Sequence, residues 1–203
     1  MAWIYRIGPL MNALTLAESE NNATQFYNYF NGYMTIEAMA GILGNIYYEC
    51  WNCINPGAQE VGKAGSTQYG YGMIQWTPGY GLINWCNNLG LDWYDGDAQC
   101  YRIKCEGEGI MGVSGSWIPT TLYPYTWAQY CALTSWAEAT RAYFAERERG
   151  HWAESRLEWA SYFYEYLSGQ GPTPPTPPPP GPPVNYSLFG GARDMIRRLI
   201  LHA

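Results

Sequence analysis

Apolar residues recur at helical spacing after Thr35: Ile36, Met39, Leu43, Ile46 and Cys50. This spacing predicts an amphipathic helix with one buried face. Thr35 suits its start, because a threonine hydroxyl can accept from a first-turn amide. Asn55-Pro56-Gly57 supplies the turn chemistry that stops it. Gly41 and Gly44 leave room for a neighbouring helix to come close. Glu49 falls in the last turn, on the shoulder of the apolar face beside Asn45. A low-dielectric surround and the negative end of the helix dipole are expected to disfavour an ionised carboxylate there. A carboxylic acid that keeps its proton can protonate a leaving group.

The pattern then changes period. From Ser66 to Trp76 the alternation predicts a short strand, with Tyr69, Tyr71, Met73 and Gln75 on one face and Gly70, Gly72, Ile74 and Trp76 on the other. The two glycines leave the second face bare enough for a ligand or another backbone to approach. Helical spacing marks five other stretches of the body. Asn22–Phe30 reads as a short helix, and Leu82, Trp85, Cys86 and Leu89 form a face closed by Gly90. Asp97 caps a helix to about Glu106, with Glu106 and Glu108 as surface charge. Ser135 and Glu138 form a capping box for a helix to about Glu148. A further helix over 151–167 places Ala153, Leu157, Ala160, Tyr164 and Leu167 on one face, with no catalytic role for His151.

Beyond residue 170 the composition breaks. Nine prolines between Gly171 and Pro183 predict an extended polyproline II spacer. In 184–203, Ala192, Met195, Ile196, Leu199 and Ile200 make an apolar helical stripe opposite Arg193, Arg197 and Arg198. The organisation expected is therefore a body at 1–170, a linker at 171–183 and an amphipathic basic helix at 184–203. That last helix suits a partner protein, such as a tail component, or an anionic membrane surface.

Composition narrows the chemistry. A net charge of −6 over 203 residues argues against nucleic acid as a partner. No apolar run approaches the ~20 residues of a membrane span. Residues 1–16 hold one basic residue and an interrupting Gly8-Pro9, which is no convincing signal peptide. Nineteen Tyr and ten Trp exceed what a core of this size requires, which favours an aromatic-lined groove. Six cysteines in an extracellular setting predict at least one disulfide. Cys50-x2-Cys53 with Cys100-x4-Cys105 only loosely mimics a zinc spacing, and neither metal nor cofactor is expected.

A helix-end glutamate beside an aromatic, amide-bearing strand suits the cutting of a polysaccharide. The acid reaches the glycosidic oxygen, Tyr69, Tyr71 and Trp76 stack on sugar rings, and Gln75 and Asn45 hydrogen-bond to hydroxyl or N-acetyl groups. Glu60 can return across the cleft as a second carboxylate, or remain a solvated loop charge.

The order Ala40-Gly41-Ile42-Leu43-Gly44-Asn45, Glu49, Asn55-Pro56-Gly57, Gly70-Tyr71-Gly72-Met73-Ile74-Gln75-Trp76-Thr77 resembles the phage tail lysozyme family over roughly residues 21–167. The resemblance implies a mainly α (α+β), lysozyme-like domain with a small β-hairpin beside the catalytic helix. It also implies a muramidase that cuts peptidoglycan between N-acetylmuramic acid and N-acetylglucosamine, with Glu49 as general acid. Such an enzyme would ride on a virion tail or be released at lysis. Cys50-Trp51-Asn52-Cys53 departs from the family, which has a small residue after the glutamate. Phe144-Ala145-Glu146-Arg147-Glu148 resembles the family's segment before its last helix and reads as an ion-pair network tying that helix down. A lytic transglycosylase and a non-catalytic wall-binding module are the alternatives.

Overall fold

The computed structural model describes residues 2–9, 14–63, 65–110, 117–150 and 152–170. The expected linker and C-terminal helix, His151 and most of the glycine-rich stretch after Glu108 lie outside these residues. Among the described residues the chain is mostly helical. The elements are β1 (Gly8–Pro9), α1 (Leu16–Phe30), α2 (Ile36–Glu49), β2 (Ala58–Gln59), α3 (Tyr80–Asn88), α4 (Gly96–Glu108), α5 (Trp127–Cys131), α6 (Trp136–Tyr143) and α7 (Ser155–Leu167). A single π-turn, Phe144–Glu148, continues α6. The strands β1 and β2 pair in parallel, Gly8 opposite Ala58. This is the mainly α (α+β) class that was expected.

Thr35 caps α2 as the pattern predicts, accepting from Ala38 N at 3.1 Å. The helix is not buried on one face, however: every residue from Ala38 to Tyr47 is buried. A helix apolar all round belongs in the interior, and α6 and α7 cover it on two sides. The two glycines permit this. A Cβ on Gly41 would lie 2.7 Å from the backbone of Ala139, and one on Gly44 would lie 2.5 Å from the carbonyl oxygen of Arg156.

Helix α1 begins six residues before the expected Asn22. Thr15 and Glu18 form a reciprocal capping box, Glu18 N donating to Thr15 Oγ1 and Thr15 N to Glu18 Oε2. Asn22 is interior and buried, accepting from Ile4 N and donating to the carbonyls of Ile4 and Ile54. A polar residue that looks like a helix start thus ties two loops to the core. At Ser135 only half of the expected box forms. Ser135 accepts from Glu138 N, while the Glu138 carboxylate takes a bond from Tyr125 Oη. Asp95, not Asp97, caps α4.

Two further expectations are corrected. All six cysteines are free and buried. In α7 the buried residues are Arg156, Trp159, Ala160, Tyr162 and Phe163, not the stripe through Ala153, Leu157 and Tyr164. The expected stripe avoided an arginine, and the arginine is inside.

Gly44→Ala should therefore push α7 outward and lower stability by about 1–3 kcal/mol, the usual cost of overpacking. Thermal unfolding of the purified variant measures this.

Candidate active site

Glu49 is the last residue of α2, and its side chain keeps 25% of its surface exposed among otherwise buried neighbours. Cys50 closes the helix through Ile46 O. Trp51 and Asn52 then adopt left-handed backbone, φ 53° and 62°, which turns the chain sharply away. Trp51 is 45% exposed directly after the acid.

The surroundings of Glu49 are charged rather than apolar. Arg156 of α7, itself 1% exposed, donates from Nη2 to Glu49 Oε1. Its other terminal nitrogen donates to Asn45 Oδ1 at 2.9 Å. The guanidinium lies 4.2 Å from the Tyr48 ring centroid and 4.9 Å from that of Phe144. Asn45 in turn donates to Gly41 O and Thr140 O at 2.8 and 3.0 Å. Asn45, expected to meet the ligand, is fully buried; it holds the arginine that holds Glu49.

The segment from Ser66 to Trp76 is not one alternating strand. It folds back on itself: Tyr71 and Trp76 exchange backbone bonds, N to O at 3.2 and 2.9 Å, around a loop of Gly72 to Gln75. Gly72 and Gln75 have positive φ, 78° and 51°, so the period-2 assignment of faces fails at the turn. The space beside the glycines is taken by protein. A Cβ on Gly70 would meet Gln75 Oε1, and one on Gly72 would meet Gln99 Oε1. Gln99 of α4 accepts from Met73 N at 2.8 Å and donates to Pro56 O and Trp93 O.

This hairpin is fastened to the end of α2. The buried Cys50 thiol, which burial keeps protonated, donates to Met73 O at 2.9 Å. Glu60 joins the hairpin's base, donating its amide to Gly70 O and accepting from Gly70 N at 3.0 Å through Oε2. Gln75 is half-buried and donates to Gly72 O. Tyr69 is half-buried with Lys63 Nζ 4.8 Å from its ring. Tyr71 and Trp76, expected as sugar platforms, are 3% and 5% exposed. The Tyr71 ring packs on Trp93, and Trp76 Nε1 donates to Glu106 Oε1 at 2.7 Å. The structure thus joins Glu49, Asn45 and Arg156, keeps Tyr69 and Gln75 in the hairpin segment with Glu60 bonded to Gly70, and withdraws Tyr71 and Trp76 into the core.

Behind the site lies a buried network of charge. Glu106, expected on the surface, is 4% exposed. Its Oε1 accepts from Arg102 Nε at 2.9 Å and its Oε2 from Arg147 Nη2 at 3.0 Å. Of the ion-pair network expected to tie down the last helix, the described residues show Arg147 paired with Glu106, which fastens the π-turn to α4 instead. Glu146 accepts from Tyr125 N, and burial raises its carboxyl to about 7. Glu148 is also raised, by burial first and by the charge of Glu49 next. Sequence reasoning missed Arg156, Glu106 and Glu148. The available signal for Arg156 was its register with Trp159, Ala160 and Phe163, positions i, i+3, i+4 and i+7 of one face.

Two outcomes follow. Trp76→Phe should leave Glu106 one donor short and lower stability by about 1–3 kcal/mol in urea unfolding. The raised carboxyl of Glu146 stabilises the fold when protonated, fully below the ordinary carboxylate range, and that contribution fades as pH rises through about 7. Glu146→Gln should thus melt close to the parent near pH 4 and above it at pH 8.

The sequence profile of the phage tail lysozyme family matches residues 21–167. The chain is also 31% identical over 165 residues to Morphogenesis protein 1 of Bacillus phage B103. That alignment covers 79% of this chain and 43% of the relative, so the chain spans less than half the relative's length. With the profile covering most of its length and the helix-end glutamate seated beside the matched hairpin, the chain belongs to the phage tail lysozyme family.

Proposed function

We propose that this protein is a peptidoglycan glycosidase, a muramidase that cleaves between N-acetylmuramic acid and N-acetylglucosamine with Glu49 as general acid. The observation that carries this reading is the part-exposed Glu49 carboxyl, fixed by Arg156 at the end of a helix buried from Ala38 to Tyr47, with a hairpin bolted to that helix end through Cys50. A positioned acid needs such rigidity, because proton donation depends on reach before it depends on acidity. Tyr69 and the exposed Trp51 are the rings available to sugars, and Gln75 supplies an amide. Glu60 serves as the second carboxylate at the hairpin base. The relative's name, Morphogenesis protein 1, favours a virion-borne role over a freely released lysin. Residues 171–203 would then be a spacer and a docking helix, separate from the catalytic body.

One observation favours a second reading. One Glu60 oxygen is occupied by Gly70 N, which restrains it as base or nucleophile. A lytic transglycosylase needs only Glu49, because the muramic 6-hydroxyl attacks and leaves an anhydro end. A wall-binding module without activity is the third outcome.

Digestion of purified peptidoglycan with mass spectrometry of the products separates these. Hydrated reducing ends are expected. Anhydro-muramic ends indicate the transglycosylase, and an absence of products the binding module. Glu49→Gln keeps an oxygen for Arg156 and so should fold, yet it has no proton to give. Its rate should fall by more than ~10²-fold, about 2.7 kcal/mol in the barrier. A folded variant retaining over a tenth of the parent rate would remove Glu49 from the role.

A further inference from the structure

The run Cys50-Trp51-Asn52-Cys53 places two exposed residues between two buried thiols. Both exposed residues are left-handed, with φ of 53° at Trp51 and 62° at Asn52. Asparagine enters that region readily, whereas a bulky residue there is an outlier. A glycine at position 51 would carry the same turn without the penalty. The tryptophan therefore stands against local preference. Strain of that kind persists only where the surroundings enforce it, and it clusters at ligand sites.

The enforcement comes from four hydrogen bonds. The amides of Trp51 and Asn52 donate back into the last turn of α2, to Tyr48 O at 3.2 Å and Tyr47 O at 2.8 Å. Before them the Cys50 thiol donates to Met73 O at 2.9 Å, and after them the Cys53 thiol donates to Cys50 O at 3.0 Å. Both cysteines pack in a small apolar cluster with Leu14 and Ala58. They clamp the two ends of a turn whose middle faces water. The Cys50 bond also ties this turn to the hairpin, so turn, hairpin and helix end are fastened to one another.

The turn presents an indole beside the proposed acid. Two residues of chain span at most ~7 Å, so Trp51 is rooted within reach of a sugar bound over Glu49. Glu49 is part-exposed and Trp51 exposed, with Cys50 between them shut inside. The face of an aromatic ring is negative. It complements the face of a pyranose, whose axial C–H groups carry slight positive charge. A ring already held in place also loses little freedom when the ligand arrives.

Resting on the reading of Glu49 as the acid of a glycosidase, we propose that Trp51 is a substrate-binding residue whose indole stacks on an N-acetylhexosamine ring next to the bond being cut. The left-handed tryptophan gives up backbone stability for a ligand contact. Binding and stability should then respond in opposite directions to the same substitution.

The test is calorimetric titration of the full chain with a soluble tetrasaccharide of alternating N-acetylglucosamine and N-acetylmuramic acid. Glu49→Gln is the reference for binding, because it should not consume the ligand, and Trp51→Gly or Trp51→Tyr is added to it. Trp51→Gly should weaken binding about tenfold, the size of one aromatic stacking contact, while melting at or above its reference. Trp51→Tyr keeps a ring and should bind close to the reference. With Glu49 intact, Trp51→Gly should raise KM by a similar factor and leave kcat within about threefold, the signature of a contact made equally before and at the transition state. A folded Trp51→Gly protein that binds as its reference does overturns the proposal. A Tyr variant as weak as Gly, or a loss confined to kcat, overturns it too. Should Glu49→Gln retain its rate, the reading of Glu49 itself falls. With that variant inactive and the affinity of Trp51→Gly unchanged, only the assignment of Trp51 falls.

Discussion

A buried arginine organises this protein. Arg156 is shut away between α2 and α7, and an uncompensated charge in such a place is strongly destabilising. Its hydrogen bonds to Asn45 and Glu49 and the Tyr48 and Phe144 rings on which it lies compensate it. Each of these groups is positioned by something further out. Asn45 is fixed by the carbonyls of Gly41 and Thr140, and the glycines of α2 let α7 come near enough for the arginine to reach. Removing the guanidinium would strand the Asn45 oxygen and free the Glu49 side chain together. Helix packing and placement of the Glu49 side chain are one problem here, solved by one residue.

The hairpin is attached to the end of α2 by different means. The hairpin around Gly72–Gln75 has almost no sheet to lean on, and its register is set by side chains from elsewhere. Gln99 fills the place beside Gly72 and bonds to Met73, while the Cys50 thiol bonds to the Met73 carbonyl from the end of α2. A disulfide would have removed the S–H donor that Cys50 supplies. The free thiols are thus consistent with packing and local hydrogen bonding rather than cross-linking.

Acidic side chains in the interior mark the region behind Glu49. Glu106 is satisfied by three donors, and ionisation there is compensated. Glu146 and Glu148 are not, and burial raises both. A fold that only needed to be stable would replace such groups with apolar ones of like volume. Their presence around the α6–π-turn–α7 corner concentrates titratable groups near neutral pH beside the candidate acid. Perturbed groups of this kind collect at functional sites.

Local pattern determined a good part of this. The start and end of α2, the place of Glu49 in its last turn, the glycines at its contacts and the mainly helical class all follow from spacing, capping and turn chemistry. These depend on residues close in sequence, so they are legible there. The strand through Tyr69–Trp76 was misread because two positive-φ residues fold the chain inside an apparently regular alternation. Tyr71 and Trp76 went inward for that reason, since aromatic rings look the same to a pattern whether they face sugar or core. Arg156, Glu106 and Glu148 became visible only in three dimensions. A charged residue is assigned to the surface by default, and its burial depends on partners that spacing does not reveal, such as Arg147 for Glu106 and Asn45 for Arg156, 41 and 111 positions away. The sequence by itself determined which helix carries the candidate acid; the tertiary structure decided which charges surround it, because electrostatic compensation is a property of neighbours in space.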